Sequence, residues 1–126
     1  MRGCEKRLLG FAITGDPTGA DMAQLVLGIA RITASAIGMS PEDISEDDFE
    51  IDAGFTGEGY SILDQRKADG VRELAQVEGI LTDPVYTGKS FTGLLHRARE
   101  GRFAAEKVLF CHTGGRVALS AYPQLK

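Results

Sequence analysis

Four short stretches carry residue types that could do chemistry. The first is TGKS, residues 87–90, which has the Gly-Lys-Ser ending of a phosphate-binding loop. Such a loop needs a glycine separated by four residues from the Gly-Lys pair, so that backbone N–H groups can wrap the phosphates. Asp83 stands at that position, a carboxylate where phosphate charge would sit, and Pro84 removes a further donor. The motif therefore fails, and Lys89 reads as a solvated residue in the first turn of a helix. Two phenols lie in glycine-bearing loops rather than on apolar faces: Tyr60 in AGFTGEGY (53–60) and Tyr86 in DPVYTGKS (83–90). A loop tyrosine usually serves amphipathic packing, but two of them are candidates for hydrogen bonding or proton transfer. The fourth stretch is HTGG, residues 112–115, where Gly114 and Gly115 would let a ligand approach the backbone closely. Thr113 there either offers its hydroxyl to a ligand or caps the segment that follows, and composition favours the cap. No metal site is expected. Among two histidines and two cysteines, only Cys111 and His112 are neighbours, and adjacent strand residues point to opposite faces. A G-x-S-x-G elbow for a serine hydrolase is absent from the sequence.

The elements that must position these loops follow from periodicity. RLLGFAIT (7–14) is a strand-like apolar run that enters the turn GDPTG. Met22, Leu25, Val26, Ile29 and Ile32 recur at helical spacing, predicting an amphipathic helix over 20–37 that Gly38 ends. Ser40-Pro41-Glu42 suits a short helix or turn with proline near its first position. Phe49 to Ile51 reads as a brief strand, and residues 63–77 as a helix on Leu63, Val71, Leu74 and Ala75, weakened by Gly70 and ended by Gly79. Phe91, Leu94, Leu95 and Ala98 predict a helix over 88–100 with an apolar inner face, His96, Arg97, Arg99 and Glu100 lying outside. KVLFC (107–111) has the pattern of a strand buried on both faces. Alternating strands and helices imply an α/β fold with a parallel sheet, whose ligands sit at loops beyond the strands' carboxyl ends.

Composition narrows the class of function. A length of 126 residues suits one domain with a real core. The net charge of −4, with acid concentrated between Glu42 and Asp52, argues against a nucleic-acid partner. No apolar run reaches the length of a membrane span, and MRGCEKRLLG lacks a secretory apolar region, so a cytoplasmic location is expected. Cys4 and Cys111 are then expected as free thiols.

EGILTDPVYTGKSFTGLLHRAREGRF followed by VLFCHTGGRVALSAY closely resembles the C-terminal end of the D-cysteine desulfhydrase and 1-aminocyclopropane-1-carboxylate deaminase family. The likeness is strong from Glu78 to Tyr122 and looser from Arg7 to Ile62. It implies a three-layer, mostly parallel α/β architecture, part of the tryptophan-synthase-β-like large domain of fold type II pyridoxal-phosphate enzymes. It also implies pyridoxal 5'-phosphate as cofactor and a small amino acid as substrate. Carried over by position, Thr113, with Gly114 beside it, matches the residue that meets the cofactor's pyridine nitrogen. Tyr86 matches a tyrosine on the substrate side of the ring, and Tyr60 the family's second active-site tyrosine. The deaminases typically carry a glutamate directly after the first tyrosine, which keeps the pyridine nitrogen protonated. Thr87 stands there instead, so the resemblance leans towards a desulfhydrase that eliminates D-cysteine or a related amino acid to pyruvate, ammonia and sulfide.

Members of that family are more than twice as long, and the missing portion is amino-terminal. It holds the Schiff-base lysine and the glycine-rich loop for the cofactor phosphate. None of the lysines at 6, 67, 89, 107 and 126 lies in such a context. The chain is therefore expected to be a carboxyl-terminal portion, inactive alone, with an exposed apolar surface that favours association or a homo-oligomer; the alternatives are a deaminase-like portion or a small non-catalytic protein that reuses the half-fold for binding or assembly.

Overall fold

The computed structural model describes residues 7–13, 18–104 and 106–125. Cys4, Thr14, most of the GDPTG turn, Lys6 and Lys126 lie outside them; Cys111 is exposed and has no disulfide partner among the described residues. Strand β1 (Leu8–Phe11) leads through helix α1 (Ala20–Ala36) to strand β2 (Phe49–Asp52), and the two strands pair in parallel from Leu8↔Phe49 to Phe11↔Asp52. Parallel pairing requires a long crossover, and α1 supplies it. Helices α2 (Gln65–Glu78) and α3 (Thr87–Arg99) follow, then short 3₁₀ turns at Arg116–Ala121 and Pro123–Leu125. The expected α/β class and parallel pairing hold, in a small sheet of two strands among the described residues.

Most helix limits obey their signals. Gly38 and Gly79 take left-handed φ of 79° and 69° at the ends of α1 and α2, and Pro41 opens a 3₁₀ turn. Asp64 caps α2 by accepting from the Lys67 N–H at 2.9 Å. KVLFC departs from expectation. It forms no strand, and Leu109 is 88% exposed. A strand exists through its ladder, and this run finds no neighbour among the described residues to pair with.

The helix faces also depart from the pattern of apolar spacing. Leu27 and Ala34 are the buried residues of α1, while Leu25, Ile29 and Ile32 of the predicted inner stripe point outward, Ile32 73% exposed. In α3 the buried face is Thr87, Gly88, Lys89, Thr92 and Gly93; Phe91, Leu94 and Leu95 are half-buried and Ala98 is exposed. The reason is close approach. A Cβ at Gly70 of α2 would collide with Thr92, one at Gly88 with the Asp83 carbonyl and Val71, and one at Gly93 with the Phe11 ring. Gly70 is thus a contact requirement between α2 and α3, not a weakness of the helix. Around this seam lie the apolar core residues Ala12, Phe55, Ala68, Val71, Leu74 and Val85.

One ion pair ties α3 to the sheet. Arg97 donates to Asp52 at 2.6 Å, and Gly54 N–H donates to the other carboxylate oxygen at 2.9 Å. Burial pushes the Asp52 carboxyl up, but these donors win and hold it below the usual aspartate value.

Candidate active site

The site is built on the start of α3. Asp83 is fully buried, and its carboxylate accepts from Val85 N at 2.7 Å, Tyr86 N at 2.6 Å and Thr87 N at 2.9 Å. The Thr87 hydroxyl donates to the same group at 2.6 Å. Burial alone would raise the Asp83 pKa. The Thr87 hydroxyl and the three amides outweigh it and hold the carboxyl below its ordinary value. The residue that excludes a phosphate loop is therefore itself the anion at the helix N-terminus, satisfying donors that would otherwise be orphaned.

Capping by Asp83 sets the direction of Tyr86, whose phenol oxygen hydrogen-bonds to that of Tyr60. The rings meet edge to face, centroids 5.9 Å apart, and both side chains are exposed. The bond to Tyr86 pushes the Tyr60 phenol above its ordinary pKa, with burial and the nearby Tyr86 and Asp83 charges acting in the same sense. Ser61, the next residue, is held at a left-handed φ of 61°, and its carbonyl accepts from the Tyr122 hydroxyl at 2.8 Å.

The HTGG loop packs on the other side of Asp83. Gly114 and Gly115 take φ of 105° and 91°, and a Cβ on Gly115 would meet the Asp83 carboxylate. The Thr87 hydroxyl also lies 3.3 Å from the Gly114 carbonyl, and Gly114 N–H donates to His112 Nδ1 at 3.1 Å. That bond leaves the imidazole proton on Nε2, which donates to the Leu81 carbonyl at 3.0 Å. Thr113 does not cap the turn that follows; Gly115 occupies that position. The Thr113 side chain is exposed and makes no hydrogen bond among the described residues.

Of the residues singled out in the sequence, Tyr60 and Tyr86 touch, and Gly114 reaches them through Thr87 and Asp83. Thr87 is buried with its hydroxyl turned inward, away from the open side. Lys89 corrects the sequence reading outright. It is fully buried, and its ammonium donates to the carbonyls of Ile13 at 3.0 Å, Thr56 at 3.0 Å and Gly59 at 2.8 Å. Burial, and then the nearby Lys67 charge, lower its pKa, with Asp64 acting the other way. Lys67 is equally buried and donates to Asp64 at 2.6 Å. Apolar periodicity could not find Lys89. The signal was the spacing of small residues at 88, 92 and 93, which brings that helix face into close contact with its neighbours.

No cluster of three or more metal-ligating side chains occurs among the described residues, nor does any helix long and apolar enough to cross a membrane. The chain matches no family model. It is 40% identical over 121 residues to a 1-aminocyclopropane-1-carboxylate deaminase of Methylobacterium nodulans, covering 95% of this chain and 35% of that protein. A deaminase of the same name from Burkholderia multivorans is 37% identical over 117 residues, covering 92% of this chain and 34% of its own length. A crystal structure of an ACC deaminase homologue superposes with a TM-score of 0.62 at 30% identity, over 85% of this chain and 30% of that one. The resemblance drawn from the loops thus holds, and the fold is that of the deaminase homologue over the matched residues. The chain spans about a third of the length of the curated relatives it matches.

Proposed function

We propose that this chain is the carboxyl-terminal portion of a pyridoxal-phosphate-dependent deaminase of the 1-aminocyclopropane-1-carboxylate type, acting on a small amino acid to release ammonia and a 2-oxo acid. The single observation that carries the reading is the meeting of the Tyr60 and Tyr86 phenols over the capped start of α3, beside the HTGG loop. The names of the relatives favour the cyclopropane substrate over D-cysteine. A desulfhydrase remains the second reading on one observation, Thr87 at the position where the deaminases carry glutamate.

The residues present fit the ring side of the cofactor. Thr113 offers an unengaged hydroxyl, and Gly114 next to it carries no side chain to block a flat ring. They do not fit its other attachments. Lys67 is buried and paired with Asp64, and Lys89 is buried with three carbonyls on its ammonium, so neither is placed to link the cofactor. The amides of Val85, Tyr86 and Thr87 at the start of α3 are already taken by the Asp83 carboxylate, so they do not serve a phosphate. When bound, the cofactor supplies the electron sink for cleavage at the substrate's α-carbon. The chain's own contribution is proton handling. The paired phenols can hold a proton between two oxygens and pass it to a substrate atom within reach of either. Asp83 fixes the backbone from which Tyr86 reaches out, and Tyr122 steadies Ser61 beside Tyr60. Breakdown of substrate needs the lysine and the phosphate loop from the rest of the protein.

Fusing the amino-terminal two thirds of the Methylobacterium nodulans deaminase to this chain tests the reading. Ammonia and 2-oxo acid from 1-aminocyclopropane-1-carboxylate would support it. Sulfide from D-cysteine instead would establish the second reading, and a soluble fusion that turns over neither would overturn both.

A further inference from the structure

We propose that Lys89 is the positioning residue of the tyrosine pair: its ammonium, caged by three main-chain carbonyls, holds the loop bearing Tyr60 against the helix start bearing Tyr86. The inference rests on the reading of Tyr60 and Tyr86 as the phenols of the site. An ammonium has three donors, and here three carbonyls take them, from Ile13 after β1 and from Thr56 and Gly59 after β2. The arrangement is that of a monovalent cation in a carbonyl cage, with the cation tethered to α3.

Position makes the clamp specific. Gly59 is adjacent to Tyr60, and Lys89 lies three residues beyond Tyr86, so a short closed circuit joins the two phenols through one ammonium. Phe55 anchors the first half of the loop in the core and Arg66 donates to the Gly54 carbonyl at 3.2 Å, whereas Gly57 and Gly59 leave the half next to Tyr60 with backbone freedom. Lys67 also packs against this half, its ammonium filling the space that a Cβ at Gly57 would need. Lys67 is neutralised by Asp64, whereas Lys89 makes no ion pair among the described residues and depends on the carbonyls for its charge. A solvated lysine in the first turn of a helix would do none of this.

The test uses the chain itself with isotope-labelled tyrosine, reading each phenol by nuclear magnetic resonance and the helix content by circular dichroism. Lys89→Met keeps the aliphatic stem and removes the donors. The expected result is unchanged helix content, loss of the Tyr60–Tyr86 ring contact and a Tyr60 titration that returns towards that of an ordinary phenol. A folded Lys89→Met chain that keeps the ring contact and the raised Tyr60 titration overturns the proposal. Should that variant not fold, the unchanged chain decides. Slowly exchanging Lys89 ammonium protons coupled to the three carbonyls, together with the ring contact, support the clamp, and any other combination overturns it. These readouts involve neither cofactor nor turnover. A failure here leaves the deaminase reading standing, and a failure of the fusion assay leaves the clamp standing.

Discussion

The start of α3 and the outer stripe of α1 are opposites. In the first, a carboxylate, an ammonium and two threonine side chains are buried while Phe91, Leu94 and Leu95 of the same helix are only half covered. In the second, Leu25, Ile29 and Ile32 face outward from a helix that buries Leu27 and Ala34. Burial here follows partner availability rather than polarity. Asp83 and Lys89 can be dry because every donor or acceptor they bring is matched within hydrogen-bond distance. Leu25, Ile29 and Ile32 of α1 stay wet because nothing among the described residues packs over them. Such an arrangement supports the proposal that the chain is one part of a larger packed unit, whose remainder would cover those faces.

The contrast predicts unequal costs for substitution. Asp83→Ala should cost the most, about 3 kcal/mol or more, because three amides and a hydroxyl lose a charged acceptor in a buried place. Asp83→Asn keeps one carbonyl acceptor and should cost less. Urea denaturation of both variants measures this, and a loss below about 1 kcal/mol for the alanine variant would refute the view of Asp83 as the anchor. Gly88→Ala should follow at about 2–3 kcal/mol, since the methyl would have to displace the Asp83 carbonyl and Val71.

Acid should act on the same region. Asp83 and Asp52 both titrate below their ordinary value in the folded chain, so the unfolded chain binds protons first as pH falls. Their stabilisation is present in full above the ordinary aspartate range near pH 4 and is lost as pH drops through the lower folded values. Denaturation midpoints measured across that range should fall with acid, and the fall should be shallower in Asp83→Asn. The smallest effects belong to the outer surface. Ile32→Ser and Leu109→Ser should each change stability by no more than about 0.5 kcal/mol in the isolated chain. A large loss in either would show that these side chains already have a partner.

How much the sequence disclosed depended on the kind of signal. Helix ends were legible because Gly38, Gly79 and Pro41 act locally, through φ and a missing N–H. Strand β2 and the parallel relation to β1 followed from alternation of elements. The strand expected at KVLFC is absent because pairing is non-local, and four successive apolar residues specify no partner by themselves. The buried face of α3 departs from its apolar spacing for a related reason. Helical apolar spacing predicts what a helix buries against an apolar neighbour, but Gly70, Gly88 and Gly93 bring backbones so close that only small residues fit between them. At the site, Tyr60 and Tyr86 were found from residue type and loop context. The roles of Asp83 and Lys89 were not, since each is defined by groups whose approach only the fold decides: amides one turn away for the first, carbonyls from two distant loops for the second.

The capped start of α3 has one more consequence, concerning selectivity among ions. A helix that carries its own counter-anion is deaf to those in solution. With Asp83 seated on the amides of Val85, Tyr86 and Thr87, sulfate or inorganic phosphate finds no electrostatic vacancy at this end of α3. A ligand that approaches from the tyrosine side meets phenol hydroxyls there, which both donate and accept, rather than the amides that Asp83 already holds.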